Sequence, residues 1–237
     1  MKKVLINYAH RHFLQAQQLN TKSAIEVARF DEAISYGSHD IDQEFIQENQ
    51  HILHQPKGAG YWLWKPYFID KTLKQMNEGD LLFYSDSGAQ FIHNIKPLIE
   101  PVHNECGLLL FSLEDFHQNK KWTKRDCFVL MGLDNEPYLS APQISASFIV
   151  CLNTSTSRDF VAQWLEHAKD PRIITDEPNT CGLPNYGEFV DHRHDQSILS
   201  LLGYKHNIST IPDISQHGNA RRSSAIPQIM QHTRNKN

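Results

Sequence analysis

Short apolar runs alternate along this chain with polar segments whose apolar residues have helical spacing. The clearest run is residues 81–84, four consecutive apolar residues entered through Gly-Asp and left through Ser-Asp-Ser-Gly. A run of this length between turn residues predicts a strand buried on both faces, as in the centre of a parallel sheet. Further strands are predicted at 2–8, 30–36, 107–112 and 143–151, and residues 127–131 also form an apolar, strand-like run.

The segments between these runs predict helices. Apolar residues recur at helical spacing in 13–28, 40–53, 157–167 and a stretch from 195 onward, and another helix begins near 94. Pro66 suits the first turn of a helix that ends at Gly79 and disfavours helical geometry at Lys65. Strand and helix alternate, so we predict an α/β protein with a Rossmann-type, mostly parallel central sheet flanked by helices.

Composition narrows the function classes. A chain of 237 residues suits one large α/β domain. Its formal charge is −4, from 23 Lys and Arg against 27 Asp and Glu, which gives no general basic field for nucleic acid. No run is apolar and long enough to span a membrane, and no targeting segment precedes the first strand. The four cysteines are widely spaced, and Cys127 and Cys151 lie in apolar strand-like runs, so we predict reduced thiols and a cytoplasmic protein.

Asp86 follows the predicted central strand and is the first candidate site residue. In open α/β sheets ligands bind beyond the carboxyl ends of the strands, and the small neighbours Ser87 and Gly88 would let a ligand approach the backbone. The alternative is that Asp86 caps a following turn or helix. The pattern alone leaves both interpretations open.

Residues 58–66 form the densest aromatic stretch. Tyr61, Trp62 and Trp64 are interpreted either as core anchors or as rings that stack on a base or sugar, with Lys65 reaching a phosphate. A second basic segment, 117–126, carries Lys124 and Arg125. Such a charge run is usually a solvated surface, but these two cations could also bind a diphosphate.

A loop at 171–188 leads into Asp191-His192-Arg193-His194-Asp195-Gln196. A long structureless segment in a compact domain is usually functional or disordered. His192 and His194 have the His-x-His spacing of some zinc sites, but no matching Cys or His group accompanies them, so a zinc hydrolase is the third-ranked hypothesis. Asp195 is placed to be the N-cap of the final core helix or a functional carboxylate at its start.

Four motifs taken in order resemble a group of bacterial and viral glycosyltransferases associated with capsule and other surface polysaccharides. They are the Gly-Tyr-Trp-Leu-Trp-Lys-Pro segment at 60–66, the Ser-Asp-Ser-Gly segment at 85–88, the Trp-Thr-Lys-Arg-Asp segment at 122–126, and the His-Arg-His-Asp-Gln-Ser segment at 192–197. The similarity extends from the first strand to about Leu202, and more weakly to Arg234, so it covers most of the chain. It implies a GT-A-like fold that binds a sugar nucleotide.

The resemblance also implies roles for individual residues. Such enzymes carry an Asp-x-Asp motif that contacts the ribose and a divalent cation on the diphosphate. Asp86-Ser87-Gly88 keeps only the first carboxylate, so a Mg²⁺ or Mn²⁺ site would need the phosphates and a histidine such as His217 or His232. The alternative is that Lys124 and Arg125 replace the metal.

The resemblance assigns the remaining roles mainly to residues at the start of the last core helix. Asp195 and Gln196 resemble the acidic and amide position near the anomeric carbon in retaining members of the fold. His194 is expected to orient the acceptor hydroxyl, and Asp86, Ser87, Gly88, Lys65, Trp62, Trp64, Lys124 and Arg125 are expected to bind the donor.

We therefore predict a single-domain glycosyltransferase that uses a UDP- or GDP-linked hexose and acts on a glycan of a surface polysaccharide. The nucleotide-binding half is expected at 1–115, the acceptor half at 116–210 and a C-terminal tail at 211–237. The runner-up is a silent GT-A-like domain that binds nucleotide or glycan without turnover. Neither hypothesis involves nucleic acid or a membrane-spanning segment.

Overall fold

The computed structural model describes residues 1–104, 107–113, 117–215 and 226–233. Its centre is a six-stranded sheet with the order β2-β1-β3-β6-β5-β7, and β4 pairs with β8 in a separate two-stranded sheet. The strands are β1 (Lys3–Tyr8), β2 (Glu32–Tyr36), β3 (Leu81–Ser85), β4 (Ala89–Phe91), β5 (Leu108–Ser112), β6 (Ile144–Leu152), β7 (Thr210–Pro212) and β8 (Met230–His232). In the central sheet β6 alone runs against the other described strands.

Helices cover both faces of this sheet. They are α1 (Leu14–Ser23), α2 (Gln43–Leu53), the single turn α3 (Gly58–Tyr61), α4 (Trp64–Leu73), α5 (Lys96–Asn104), α6 (Asn119–Trp122), α7 (Arg125–Leu130), α8 (Ser155–Ala168), α9 (Pro171–Ile174) and α10 (Asp195–Lys205). None of the helices in the described ranges is long and apolar enough to cross a membrane.

The sheet separates two hydrophobic cores because successive side chains of a strand point to opposite faces. Val4 and Ile6 of β1 pack into the core that contains α4, α8 and α10, whereas Leu5 packs into the core beneath α5. The same alternation holds in β3, where Leu82 and Phe83 face opposite sides. Burial on both faces explains why the central strands are near-continuous apolar runs.

The predicted fold class is confirmed: the protein is α/β with a mostly parallel central sheet flanked by helices. Three local expectations are wrong. Cys127 lies in helix α7, because a short apolar run can belong to a buried helix as well as to a strand. Lys65 lies inside helix α4 despite the following proline. Asp195 is the first residue of α10, and His194 occupies the N-cap position.

The proposed division of the chain stays a prediction, and the structure shows how its parts combine. Strand β6, from the second half, lies between β3 and β5, so both halves build one sheet. The stretch predicted as a tail contributes the end of β7 and the whole of β8, where Met230 is fully buried. Thr233 donates its backbone N–H to the carbonyl of Gly88 at 2.8 Å, which brings this stretch to the loop after β3.

Candidate active site

A cleft of about 500 Å³ opens where β1 and β3 end side by side. We call it the Asp86 cleft. Its lining combines aromatic rings with few polar groups: Tyr8, Ala9, His10, Phe13, Pro56, Gly58, Ala59, Trp62, Trp64, Asp86, Ser87, Gly88, Ser147 and His232. Cofactor and substrate sites in proteins usually combine an apolar wall with a few placed polar groups in this way.

Asp86 is the one carboxylate among the described residues that line this cleft. Its side chain is 36% exposed, and the Tyr84 hydroxyl donates to its Oδ1 at 2.5 Å. The Lys65 ammonium lies 3.4 Å from the same oxygen. The capping interpretation fails for the carboxylate, since its described contacts are these two side chains. One edge of Asp86 is thus fixed, and the side chain faces the cleft.

The neighbours of Asp86 fix the loop that carries it. The Ser87 hydroxyl is buried and donates to the carbonyl of Tyr8 at 2.5 Å, which joins the loops after β1 and β3. The Asp86 N–H donates to the carbonyl of Ser147 on β6 at 2.8 Å. A Cβ added to Gly88 would meet nothing within 4 Å, so this position is open toward the cleft.

Lys65 lies beneath the cleft and not in it. The residue is 3% exposed, and its Nζ lies 2.7 Å from Oδ2 of Asp195 and 3.0 Å from the carbonyl of Ala146. Burial by itself would lower the pKa of Lys65, but the carboxylates of Asp195 and Asp86 outweigh it and raise the pKa above its ordinary value. The expected contact of Lys65 with a phosphate is therefore replaced, in this geometry, by two carboxylate contacts inside the protein.

Asp195 is also buried, 4% exposed, and does not line the Asp86 cleft. Burial raises its pKa to about 6, although the nearby Lys65 opposes that rise. The adjacent Gln196 accepts the N–H of Ala146 at 3.3 Å and donates to Gln143 at 2.6 Å. These contacts place Asp195 and Gln196 behind β6. Asp86, Lys65 and Asp195 therefore form a row that leads from the cleft into the interior.

His192 and His194 are tied to the backbone. His192 Nδ1 accepts the N–H of Lys124 at 3.2 Å, and its Nε2 donates to the carbonyl of Ile173 at 2.8 Å. Burial, with a smaller effect of His194, holds the pKa of His192 well below its usual value, so the ring is neutral. With both nitrogens occupied, His192 offers no lone pair to zinc, which removes the basis of the hydrolase hypothesis.

His194 supports the wall of the cleft. Its ring stacks on Trp62 with centroids 5.4 Å apart, and its Nδ1 donates to the carbonyl of Ile174 at 2.8 Å. Burial lowers its pKa. Since His194 does not line the Asp86 cleft, its expected contact with an acceptor hydroxyl stays a prediction.

The turn before Trp64 has an unusual backbone that shapes the cleft. Residues 58 to 62 all have φ between +51° and +99°, a left-handed path that costs about 1–2 kcal/mol for each non-glycine residue. Gly58 and Gly60 are required here, because a Cβ would lie 2.4 Å from the Trp62 ring and 2.7 Å from the Leu53 backbone. His194, which packs on this turn, has φ 50° and ψ −117°. Strain of this kind is found at functional sites.

The aromatic residues pack in the core and also line the cleft, whereas their stacking on a base or sugar stays a prediction. Trp64 is 5% exposed, stacks on Tyr8 at 3.9 Å and donates its indole N–H to the carbonyl of Gly58 at 2.9 Å. Trp64 is a core anchor that also lines the cleft. Trp62, which is partly buried, lines the same cleft. Tyr61 contacts His194 at 4.9 Å.

Lys124 and Arg125 lie away from the cleft and hold the loop that follows α9. The buried Lys124 ammonium donates to the carbonyl of Glu177 at 2.6 Å, and burial lowers its pKa. Arg125 pairs with Asp134 at 2.8 Å and stacks on Tyr186 at 4.1 Å. Neither residue lines the Asp86 cleft. Their binding of a diphosphate therefore stays a prediction.

The expected metal ligands are only partly within the described residues. His217 lies outside them. His232 lines the Asp86 cleft together with Asp86. The described residues contain no group of three or more His, Cys, Asp or Glu side chains that could hold a metal ion. These side chains do not form a Mg²⁺ or Mn²⁺ site without further oxygen ligands.

Sequence reasoning missed several residues of the site. Tyr84 precedes Asp86 by two positions, and the period of a strand predicts that the two share a face. His10 follows β1, which is parallel to β3 and ends at the same edge. Ser147 could not be found, because its place depends on the insertion of β6 beside β3.

Comparison with known proteins defines the fold. No protein-family model and no curated protein sequence matches this chain. Among solved structures, the chain is similar to mouse Xyloside xylosyltransferase 1 in its apo form, with a TM-score of 0.54 and 11% identity over 98% of this chain and 96% of that one. It is also similar to the apo structure of WbbM, a bifunctional glycosyltransferase, with a TM-score of 0.54 and 9% identity over 91% of this chain.

The chain has a GT-A-type fold. It corresponds to 39% of the WbbM chain, so that protein contains much that this one does not match. At these identities the similarity concerns the fold. The function has to be argued from the site.

Proposed function

We propose that this protein is a glycosyltransferase that moves a sugar from a nucleotide-sugar donor to a glycan acceptor. The observation that carries the proposal is the Asp86 carboxylate, which faces an aromatic-lined cleft at the end of the central strand β3. Ligands of open α/β sheets bind at this place. The similarity of the whole fold to two glycosyltransferases supports the same reaction class.

The proposed reaction breaks the bond between the anomeric carbon and a diphosphate oxygen. A new bond forms to an acceptor hydroxyl oxygen, whose proton passes to the departing diphosphate. Positive charge develops on the sugar ring as the diphosphate leaves, and a preorganised carboxylate stabilises that charge. Asp86 is suited to this role because Tyr84 holds one of its oxygens.

The finer features of the proposal rest on the resemblance of the motifs. We propose a UDP- or GDP-linked hexose as donor, a surface polysaccharide such as a capsule as the product, retention of anomeric configuration, and a cytoplasmic site of action. Free thiols at Cys127, Cys151 and Cys181 accord with a reducing compartment. A Mg²⁺ or Mn²⁺ ion remains part of the proposal only if diphosphate oxygens complete its ligand set.

The test is release of nucleoside diphosphate from a panel of UDP- and GDP-linked sugars. We expect release by the wild-type protein and a loss of about 10²-fold or more in Asp86→Asn, as for other preorganised active-site groups. Asp159→Asn is the matched control, because Asp159 is exposed on α8, and it should keep full turnover.

Three results would change the assignment. Wild-type turnover in Asp86→Asn would show that the site is elsewhere. A thermal shift with UDP or GDP but no turnover of any donor would favour the silent binding domain, since a ligand that binds the native state raises its stability. Full turnover after treatment with a chelator would show that the reaction needs no divalent ion, and the ion would then be dropped from the proposal.

A further inference from the structure

A second cleft of about 510 Å³ adjoins the Asp86 cleft, and we call it the histidine cleft. The two share Tyr8, His10, Phe13, Pro56 and Ala59, so they are continuous at the end of β1. Its remaining lining residues are Arg11, His12, Ser38, Ile41, Ile46, Leu53, His54 and Gln55.

The histidine cleft differs in charge from the rest of the protein. Its lining includes one arginine and three histidines but no Asp or Glu, although the chain carries a formal charge of −4. Arg11 is the single Lys or Arg among the described residues that line either cleft. Such a lining attracts anions and disfavours cations.

The guanidinium of Arg11 is available to a ligand. Arg11 is exposed, and it makes no ion pair or hydrogen bond through its side chain with the described residues. By contrast, the three cations that the sequence suggested for phosphate binding already contact groups inside the protein. Lys65 contacts two carboxylates, Lys124 binds a carbonyl, and Arg125 pairs with Asp134.

The loop that carries Arg11 follows a strand that is hydrogen-bonded to the loop of Asp86. Arg11 has φ +49°, a conformation that is uncommon for residues other than glycine. The loop that carries it follows β1, whose residue Tyr8 accepts the Ser87 hydroxyl from the loop of Asp86. The cationic loop and the loop of the carboxylate are therefore joined directly.

We propose that Arg11, flanked by His10 and His12, binds the diphosphate of the donor at the boundary of the two clefts. The nucleoside then lies against the apolar wall of the histidine cleft, and the sugar extends toward Asp86. A guanidinium suits this role because its planar donors bind phosphate oxygens in pairs. The inference rests on the proposed function for the identity of the ligand as a donor, whereas the anion site itself can be tested alone.

The test measures binding of inorganic pyrophosphate, UDP, GDP, uridine and guanosine by isothermal titration calorimetry. We expect Arg11→Gln to weaken pyrophosphate and both nucleotides by about tenfold or more and to leave the nucleosides unchanged. Arg11→Lys, which keeps the charge and loses the planar fork, should bind these anions with an affinity between those of the wild-type protein and Arg11→Gln. Raising the salt concentration should weaken wild-type binding more than binding by Arg11→Gln.

Arg29→Gln is the matched control. Arg29 is an exposed arginine that also has a left-handed backbone, φ 64°, but it lines neither cleft. It should bind all five compounds as the wild-type protein does. Circular dichroism of the three variants then separates loss of the anion site from loss of the fold.

The outcomes distinguish this inference from the proposed function. Undiminished binding of pyrophosphate and nucleotides by Arg11→Gln, an equal loss of nucleosides, or no binding of any diphosphate by the wild-type protein would overturn the inference. Glucuronate, titrated as a sixth compound, tests for an acidic acceptor: stronger dependence of its binding than of pyrophosphate binding on Arg11 would also overturn the inference. If pyrophosphate binding depends on Arg11 but no nucleotide sugar is turned over, the anion site stands and the transferase proposal fails.

Discussion

Replacing Lys65 with methionine tests whether a buried ammonium organises the candidate site. Its Nζ lies 2.7 Å from Asp195 and 3.4 Å from Asp86, and the residue is 3% exposed. Removing one partner of a buried ion pair leaves an uncompensated charge and costs about 3–5 kcal/mol. Asp195 can escape part of this cost by binding a proton, because its pKa is already raised to about 6 by burial. We expect Lys65→Met to lower the free energy of unfolding by about 3 kcal/mol.

A second substitution separates stability from function. Replacing both members of a buried pair with apolar residues is often neutral or stabilising. We therefore expect Lys65→Met combined with Asp195→Leu to recover most of the lost stability. If the row of charges also positions Asp86, the double variant should still turn over donor about 10²-fold more slowly than the wild-type protein.

Urea denaturation at pH 7 provides the measurement, with nucleotide release as the functional readout. Lys2→Met is the matched control, since Lys2 pairs with Glu32 at 2.6 Å and the two side chains are 51% and 44% exposed. An exposed pair contributes about 1 kcal/mol or less. Our reasoning is refuted if Lys65→Met costs no more than Lys2→Met, or if the double variant is no more stable than Lys65→Met.

Two further predictions follow from the geometry. Burial raises the pKa of Asp195 to about 6, so the folded protein holds this proton where the unfolded chain has lost it. The free energy of unfolding should therefore fall by about 2 kcal/mol between pH 4 and pH 6. Asp195→Asn should remove that fall in urea denaturation, and the same fall in the variant would contradict the assignment. Gly60→Ala should cost more than about 2 kcal/mol in the same assay, because its Cβ would lie 2.7 Å from the Leu53 backbone. Gly79→Ala, with φ +81° and open space, should cost only about 1 kcal/mol, and equal losses would show that the close contact does not matter.

The sequence was most informative where local pattern and burial agree. Residues 81–84 form a strand, as predicted for an apolar run between turn residues, and the strand pairs with a neighbour on each side within the sheet. The rule that ligands bind beyond such strands then led to Asp86, which indeed faces a cleft. The left-handed backbone of residues 58–62 was not predicted and became evident only in the structure.

The sequence was least informative about which charges neutralise one another. Lys65, Lys124 and Arg125 were all expected to face a phosphate. A basic residue near a candidate site is interpreted as a phosphate contact when the groups that neutralise its charge are unknown. In the folded chain the partner of Lys65 is Asp195, separated from it by 130 residues, and that of Lys124 is the carbonyl of Glu177. Such contacts depend on the packing of α4, α10 and the loop after α9, which no local pattern specifies.

Because Lys65 and Lys124 contact groups inside the protein, they are not free to neutralise the charge of a ligand in the cleft. The proposed donor diphosphate would bring negative charge to a cleft whose lining carboxylate, Asp86, is itself negative. Lys65 offsets this charge only from beneath, because its ammonium has little contact with solvent. In the proposed arrangement, attraction of the diphosphate comes from Arg11 in the adjoining histidine cleft, while Lys65 and Asp195 keep the Asp86 carboxylate in place. Binding and chemistry are then assigned to different groups, so substitution at Arg11 should act mainly on donor affinity and substitution at Lys65 mainly on turnover.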